Sequence, residues 1–129
     1  MKILTATPTE FNMLEEGEVF ILHNANYGTP TRRFVMVMGF VSVSGYDFID
    51  AHTLTVSRYN TVTVSRELIP FSDVEAEFAP TSLGEVLWFW QEARQIARVR
   101  AAETRLEAHK AEHVHGQLDA LADLVFGEL

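Results

Sequence analysis

The chain contains no cysteine. That excludes a disulfide framework, a cysteine-ligated zinc and a thiol nucleophile, and it fits a reducing compartment. Basic residues are also scarce, 10 Lys and Arg against 18 Asp and Glu, for a net charge of −8. The acidic excess runs through both parts of the chain. Residues 1–80 hold five basic and ten acidic side chains, and residues 81–129 hold five and eight. Nucleic-acid binders carry basic surfaces that displace counterions from phosphates, so this balance disfavours that class. It suits solubility, a basic patch on another protein, or mimicry of a nucleic acid. No apolar run approaches the ~20 residues that cross a bilayer. The opening Met1-Lys2-Ile3-Leu4-Thr5 is too short and too soon polar for a signal peptide, so the expected setting is the cytoplasm.

What is present is enough apolar material for a core, 47% of 129 residues, in a chain of single-domain length. The densest stretch is Phe34-Val35-Met36-Val37-Met38-Gly39-Phe40-Val41-Ser42-Val43. A strand turns successive side chains to opposite faces. This run is apolar at both parities as far as Val41, so it reads as a central strand covered on both sides. Val35, Val37, Val41 and Val43 are assigned to a barrel interior. Phe34, Met36, Met38 and Phe40 are assigned as the seat of a helix through Leu87, Trp88 and Trp90.

Further strands are expected at Val19–His23, Phe48–Val56 and Thr61–Ile69, with a last short one near Val74–Ala79. The segment from Asn24 to Thr31 and the groups Ser44–Asp47 and Ser57–Asn60 carry turn chemistry. Short strands without helix-length connections predict an antiparallel meander curled into a small barrel. The pattern Phe11-x-x-Leu14-x-x-Gly17-Glu18-x-Phe20 resembles the start of small SH3-like barrels, phage and bacterial proteins among them. The resemblance spans residues 11–78 and implies fold class only.

After Pro80, Ser82-Leu83-Gly84-Glu85 matches a capping box, and good helix formers follow to His115. The expectation is one helix of roughly 50 Å at 1.5 Å per residue, a stop at Gly116, and a short second helix to Phe126. The expected fold is therefore α+β. A five-stranded SH3-like barrel over residues 1–80 carries a helical arm over 81–129, and the two make one folding unit. The arm is apolar at both ends and thin in the middle. Its tail must fold back as a hairpin or dock on a second copy, and a homodimer through these helices is expected.

Several clusters compete as sites. His109 and His113 lie four apart on a helix and could share a metal, yet Lys110 replaces the glutamate of a metalloprotease helix and no third ligand is evident. Asp50-x-His52 shares one strand face and could serve acid–base work, but no nucleophile or phosphate loop accompanies it. Arg32, Arg33 and Arg58, with Arg94, Arg98, Arg100 and Arg105, are the residues a nucleic-acid reading would use. No cofactor is expected. The favoured reading is a non-enzymatic interaction module, an inhibitor or adaptor, binding an unidentified protein through an acidic surface and the barrel loops. Its contact residues would be Tyr27, Arg32, Arg33, Tyr46, Trp88 and Trp90. The Trp88-Phe89-Trp90 triplet cannot face one surface, because neighbours on a helix point about 100° apart.

Overall fold

The computed structural model describes residues 1–24, 31–56, 61–103 and 105–127, with the side chains of all of these except residues 100–112. Strand β1 (Lys2–Ile3) is followed by a 3-10 turn at Phe11–Met13, then β2 (Glu18–Asn24), β3 (Thr31–Val43), β4 (Tyr46–Val56) and β5 (Val62–Pro70). Helix α1 (Phe71–Glu77), strand β6 (Phe78–Ala79) and helices α2 (Leu83–Glu103) and α3 (Arg105–Phe126) complete the chain. The class is α+β. The sheet order is β1-β2-β3-β4-β5, with β6 also on β2. β1 runs parallel to β2 and every other ladder is antiparallel, so the sheet is mixed. It is also open, because among the described residues no ladder joins β5 to β1 or β6. That corrects the expected closed antiparallel barrel: after β5 the chain forms α1 and returns to the β2 edge instead of closing a strand ring.

β3 separates two cores. On one face Val19, Ile21, Phe34, Met36, Leu54 and Val62 pack with Val86, Phe89, Trp90 and Ala93 of α2 and Leu118, Leu121 and Val125 of α3. On the other, Phe20, Leu22, Val35, Val37, Ile49, Ala51 and Ile69 pack with Leu14 and with Val74 of α1. Both parities of β3 are therefore buried at its start, as the continuous apolar run requires. Phe34 is edge-on to Trp90 at 5.4 Å and stacks with Phe89 at 6.4 Å between ring centroids.

The alternation does not persist. The β3–β4 register steps from Val37↔Ala51 to Gly39↔Asp50, leaving Met38 as a bulge. One extra residue reverses the faces beyond it. Phe40, expected against the helices, lands on the opposite face, where its ring meets Phe11 edge-on at 5.4 Å. Val43, expected inside, is 51% exposed.

α2 and α3 also differ from expectation. The helix does not run to Gly116; α2 ends at Glu103 and α3 passes through Gly116. Gly116 does not take the positive φ by which a glycine ends a helix. Trp90 meets Phe126, and Arg94 meets Asp119. That reversed order makes the helices an antiparallel hairpin, and the apolar tail is buried against the chain's own α2. Val74 to Glu77, expected within a last short strand, belong instead to α1 (Phe71–Glu77), with Val74 pointing into the second core.

Candidate functional site

The start of α2 sets which side chains face out. The Glu85 N–H donates to the Ser82 hydroxyl at 3.3 Å, and the Val86 N–H donates to the Ser82 carbonyl at 3.1 Å. This cap satisfies donors that the helix itself leaves unpaired. From there Val86, Phe89, Trp90, Ala93 and Ala97 recur at helical spacing and are buried. The rest of the first turns must lie outside. Leu83 is 45% exposed, Leu87 42% and Trp88 58%, whereas Trp90 is only 4% exposed. Two residues apart on one helix, the tryptophans point roughly 200° apart and occupy different environments.

Arg32 approaches this edge from β3. Its guanidinium lies 5.9 Å from the Trp88 ring centroid and 5.4 Å from that of Phe89. A cation over an aromatic face is attracted by the ring quadrupole, and here it also holds the exposed indole against the sheet. Among the described residues no carboxylate pairs with Arg32. A groove of about 230 Å³ opens beside Leu87, between the two helices. It is lined by Leu87, Trp90, Gln91, Arg94, Ala122 and Phe126. The Trp90 Nε1 is buried without a hydrogen-bond partner among the described residues. Arg94 and Asp119 pair at 3.2 Å across the two helices.

The other expected contact residues are dispersed. Trp90 belongs to the core, so a partner cannot reach it as it can Trp88. Arg33 faces away from Arg32, as neighbours on a strand must, and its guanidinium bridges Glu67 at 2.8 Å and Glu77 at 3.4 Å. It ties β5 and α1 together. Tyr46 is 71% exposed beside the Ser44-Gly45 turn, where both φ angles are positive. Tyr27 and Arg58 lie outside the described residues, as do the side chains of His109, Arg100 and Arg105.

Asp50 and His52 do share a strand face, but the carboxylate is held by another group. Arg66 donates Nε to Oδ1 at 3.0 Å and an Nη to Oδ2 at 2.8 Å. This hydrogen bonding outweighs the opposing cost of burial and, with smaller contributions from the charges of Arg66 and His52, keeps Asp50 below the usual carboxylate range. Arg66 is raised in turn by the same hydrogen bond and charge. No hydrogen bond joins His52 to Asp50 among the described residues, so the pair is not arranged as an acid and its orienting partner. His113 is exposed. Among the described residues, no group of three His, Asp or Glu side chains could hold a metal ion.

Leu83 and Leu87 were not expected at the surface edge. Leu87 falls off the arc of Val86, Phe89, Trp90, Ala93 and Ala97, whereas Leu83 lies at its margin and is exposed as the first residue of α2. Among the described residues no helix is long and apolar enough to cross a membrane. Comparisons with protein-family models, curated proteins and solved structures find no match to this chain.

Proposed function

We propose that this chain is a non-enzymatic protein-interaction module, an inhibitor or adaptor that binds another protein through the Leu83–Leu87–Trp88 edge of α2. The observation that supports the reading is Trp88: its ring is 58% exposed while the tryptophan two residues on is buried. Exposed aromatic rings beside a cation are frequent anchors of protein interfaces, because they bury much area and lose few rotamers. Arg32 offers a guanidinium that no carboxylate of the described chain occupies, so a partner acid beside an apolar contact would complete it. The net charge of −8 gives the remaining surface a second, longer-ranged preference for a basic partner. In this reading the strand meander is an SH3-like barrel left open, and it serves as the platform for α2 in a cytoplasmic protein.

The nucleic-acid alternative loses ground on particular residues. Arg33, Arg66 and Arg94 each pair with an acid of the chain, and Arg33 lies on the opposite face of the sheet from Arg32. The test is affinity capture from a lysate of the source cell with the wild-type chain and a Trp88→Ala variant of unchanged circular dichroism. The reading predicts a protein retained by the wild type and lost with Trp88→Ala. Equal retention by both, or retention of nucleic acid that weakens steeply with salt, would overturn it.

A further inference from the structure

An open sheet leaves strand edges with unpaired backbone groups, and natural proteins blunt them with short strands, charges or proline. Three edges here are blunted. β1 and β6 have two residues each, and Pro80 follows β6. β5 carries Arg66 and Glu67 and ends at Pro70. The outer edge of β3 is different. β2 pairs with it only from Thr31 to Met36, and the Gly17 N–H closes on the Val37 carbonyl at 2.8 Å. From Met38 to Val43 no backbone partner adjoins that edge among the described residues. The whole stretch from Phe34 to Tyr46 contains no charged residue and no proline.

The hydrogen-bonding pattern of that edge follows from the turn. Val43 and Tyr46 flank the two-residue Ser44-Gly45 turn and pair with each other. In such hairpins the flanking pair exchanges both hydrogen bonds, and bonded pairs then alternate along the strands. The N–H and C=O of Val43 and Val41 therefore point to β4, and those of Phe40 and Ser42 point outward. On the helix-side face the same ribbon extends beyond α2 and α3. It leaves Val43 51%, Tyr46 71% and Leu68 52% exposed next to Val41 and Phe48.

We propose that this edge pairs with the same edge of a second copy, β3 antiparallel to its equivalent about a two-fold axis at Val41. The edge is self-complementary. Phe40 opposes Ser42 of the second copy and Ser42 opposes its Phe40, giving about four backbone hydrogen bonds from two narrow pairs. Val41 meets its own copy, and the two apolar strips join into one band on the helix side. Charge favours this occupant. Two chains of net charge −8 repel one another over most of their surface and can approach where charge is absent. The edge strand itself offers a basic partner no charged side chain, and the nearby Asp47 carboxylate accepts a hydrogen bond from the Ser42 hydroxyl at 2.7 Å. The Met38 bulge bounds the paired segment at its inner end by twisting the strand there. Because α2 and α3 bury the apolar tail within one chain, self-association belongs to this edge and leaves the Trp88 edge free.

Sedimentation of the full chain tests the proposal, with Ser42→Pro and Val41→Lys as variants. Proline at Ser42 removes an outward N–H without touching the β4 ladder, and lysine at Val41 sets two like charges across the axis. The wild type is expected to be a dimer at tens of micromolar. Both variants should weaken it at least about tenfold with circular dichroism unchanged. Hydrogen exchange on the wild type gives a readout independent of the variants: the Phe40 and Ser42 amides should gain protection as concentration rises. A wild-type monomer at about 100 μM overturns the proposal. So does a dimer that survives both substitutions, or one in which those two amides exchange freely.

Discussion

Single side chains in this molecule take their roles from partners far away in sequence, and Asp50 shows it best. Its carboxylate is gripped by Arg66, 16 residues away and on the neighbouring strand. Arg66 holds the folded-state pKa of Asp50 below its unfolded value, close to 3.9. A depressed carboxylate stabilises the fold above that unfolded value and loses the contribution as pH falls through the folded one. Thermal melts of the wild type and Asp50→Asn should therefore differ slightly at pH 7. The gap should narrow as pH falls below the unfolded value of about 3.9 and through the lower folded one, and shrink at high salt, since the pair is solvent-exposed. A gap that widened in acid would show that Asp50 does not depend on Arg66 in this way. At this scale the sequence was legible only in part. Asp50 and His52 were placed on one face by their spacing of two, but Arg66 is brought to Asp50 by strand register, which spacing along the chain does not reveal. The same holds for Arg33: its doublet with Arg32 suggested a shared site, whereas strand alternation sends the two to opposite faces.

Elements were more legible where the periodicity was long and less so where one residue changed it. Ser82 caps α2 as its position suggested, but the buried stripe of Val86, Phe89, Trp90, Ala93 and Ala97 was not legible, because the first turns are apolar all round and Leu87 and Trp88 were set against the sheet with Trp90. The end of α2 was not legible, because Ala101, Ala102, Glu103 and Arg105 all favour helix while Gly116, which is tolerated inside α3, looks like a stop. α1 was missed because seven residues are too few for a periodic window, although Phe71, Val74 and Phe78 recur at spacings of three and four. The bulge at Met38 has one local sign, Gly39 inside the strand, and it exchanges the faces of Phe40 and Val41. Trp90 is the point where the elements meet, packed on Phe34 of β3 and Phe126 of α3. Trp90→Ala should destabilise the protein by about 3–5 kcal/mol in denaturant titration, the range for removing a large buried ring. Trp88→Ala should stay within about 0.5 kcal/mol of the wild type, as surface changes do. A comparable loss from both would mean that Trp88 is also part of the packing.

For the whole molecule, β3 is the partition between two cores, and the α2–α3 hairpin is built into one of them. Val19, Ile21, Phe34 and Met36 are buried in a cluster that the helices complete, so the helix-side face of the sheet gains its cover from residues 81–129. The α+β class and the central role of Phe34–Val37 were readable because that run is apolar at both parities. Closure was not, because whether a meander closes depends on where the chain goes after Pro70, and here it forms α1 and rejoins β2. The central claim is a division of labour on one helix turn: Trp90 holds sheet and helices together, and Trp88 stays outside as the contact surface. Acrylamide quenching of single-tryptophan proteins measures it directly, with Trp90→Phe leaving Trp88 as the emitter and Trp88→Phe leaving Trp90. The account predicts red-shifted emission and efficient quenching for Trp88, and blue-shifted, weakly quenched emission for Trp90. Equal shielding of the two indoles in the free protein would contradict it.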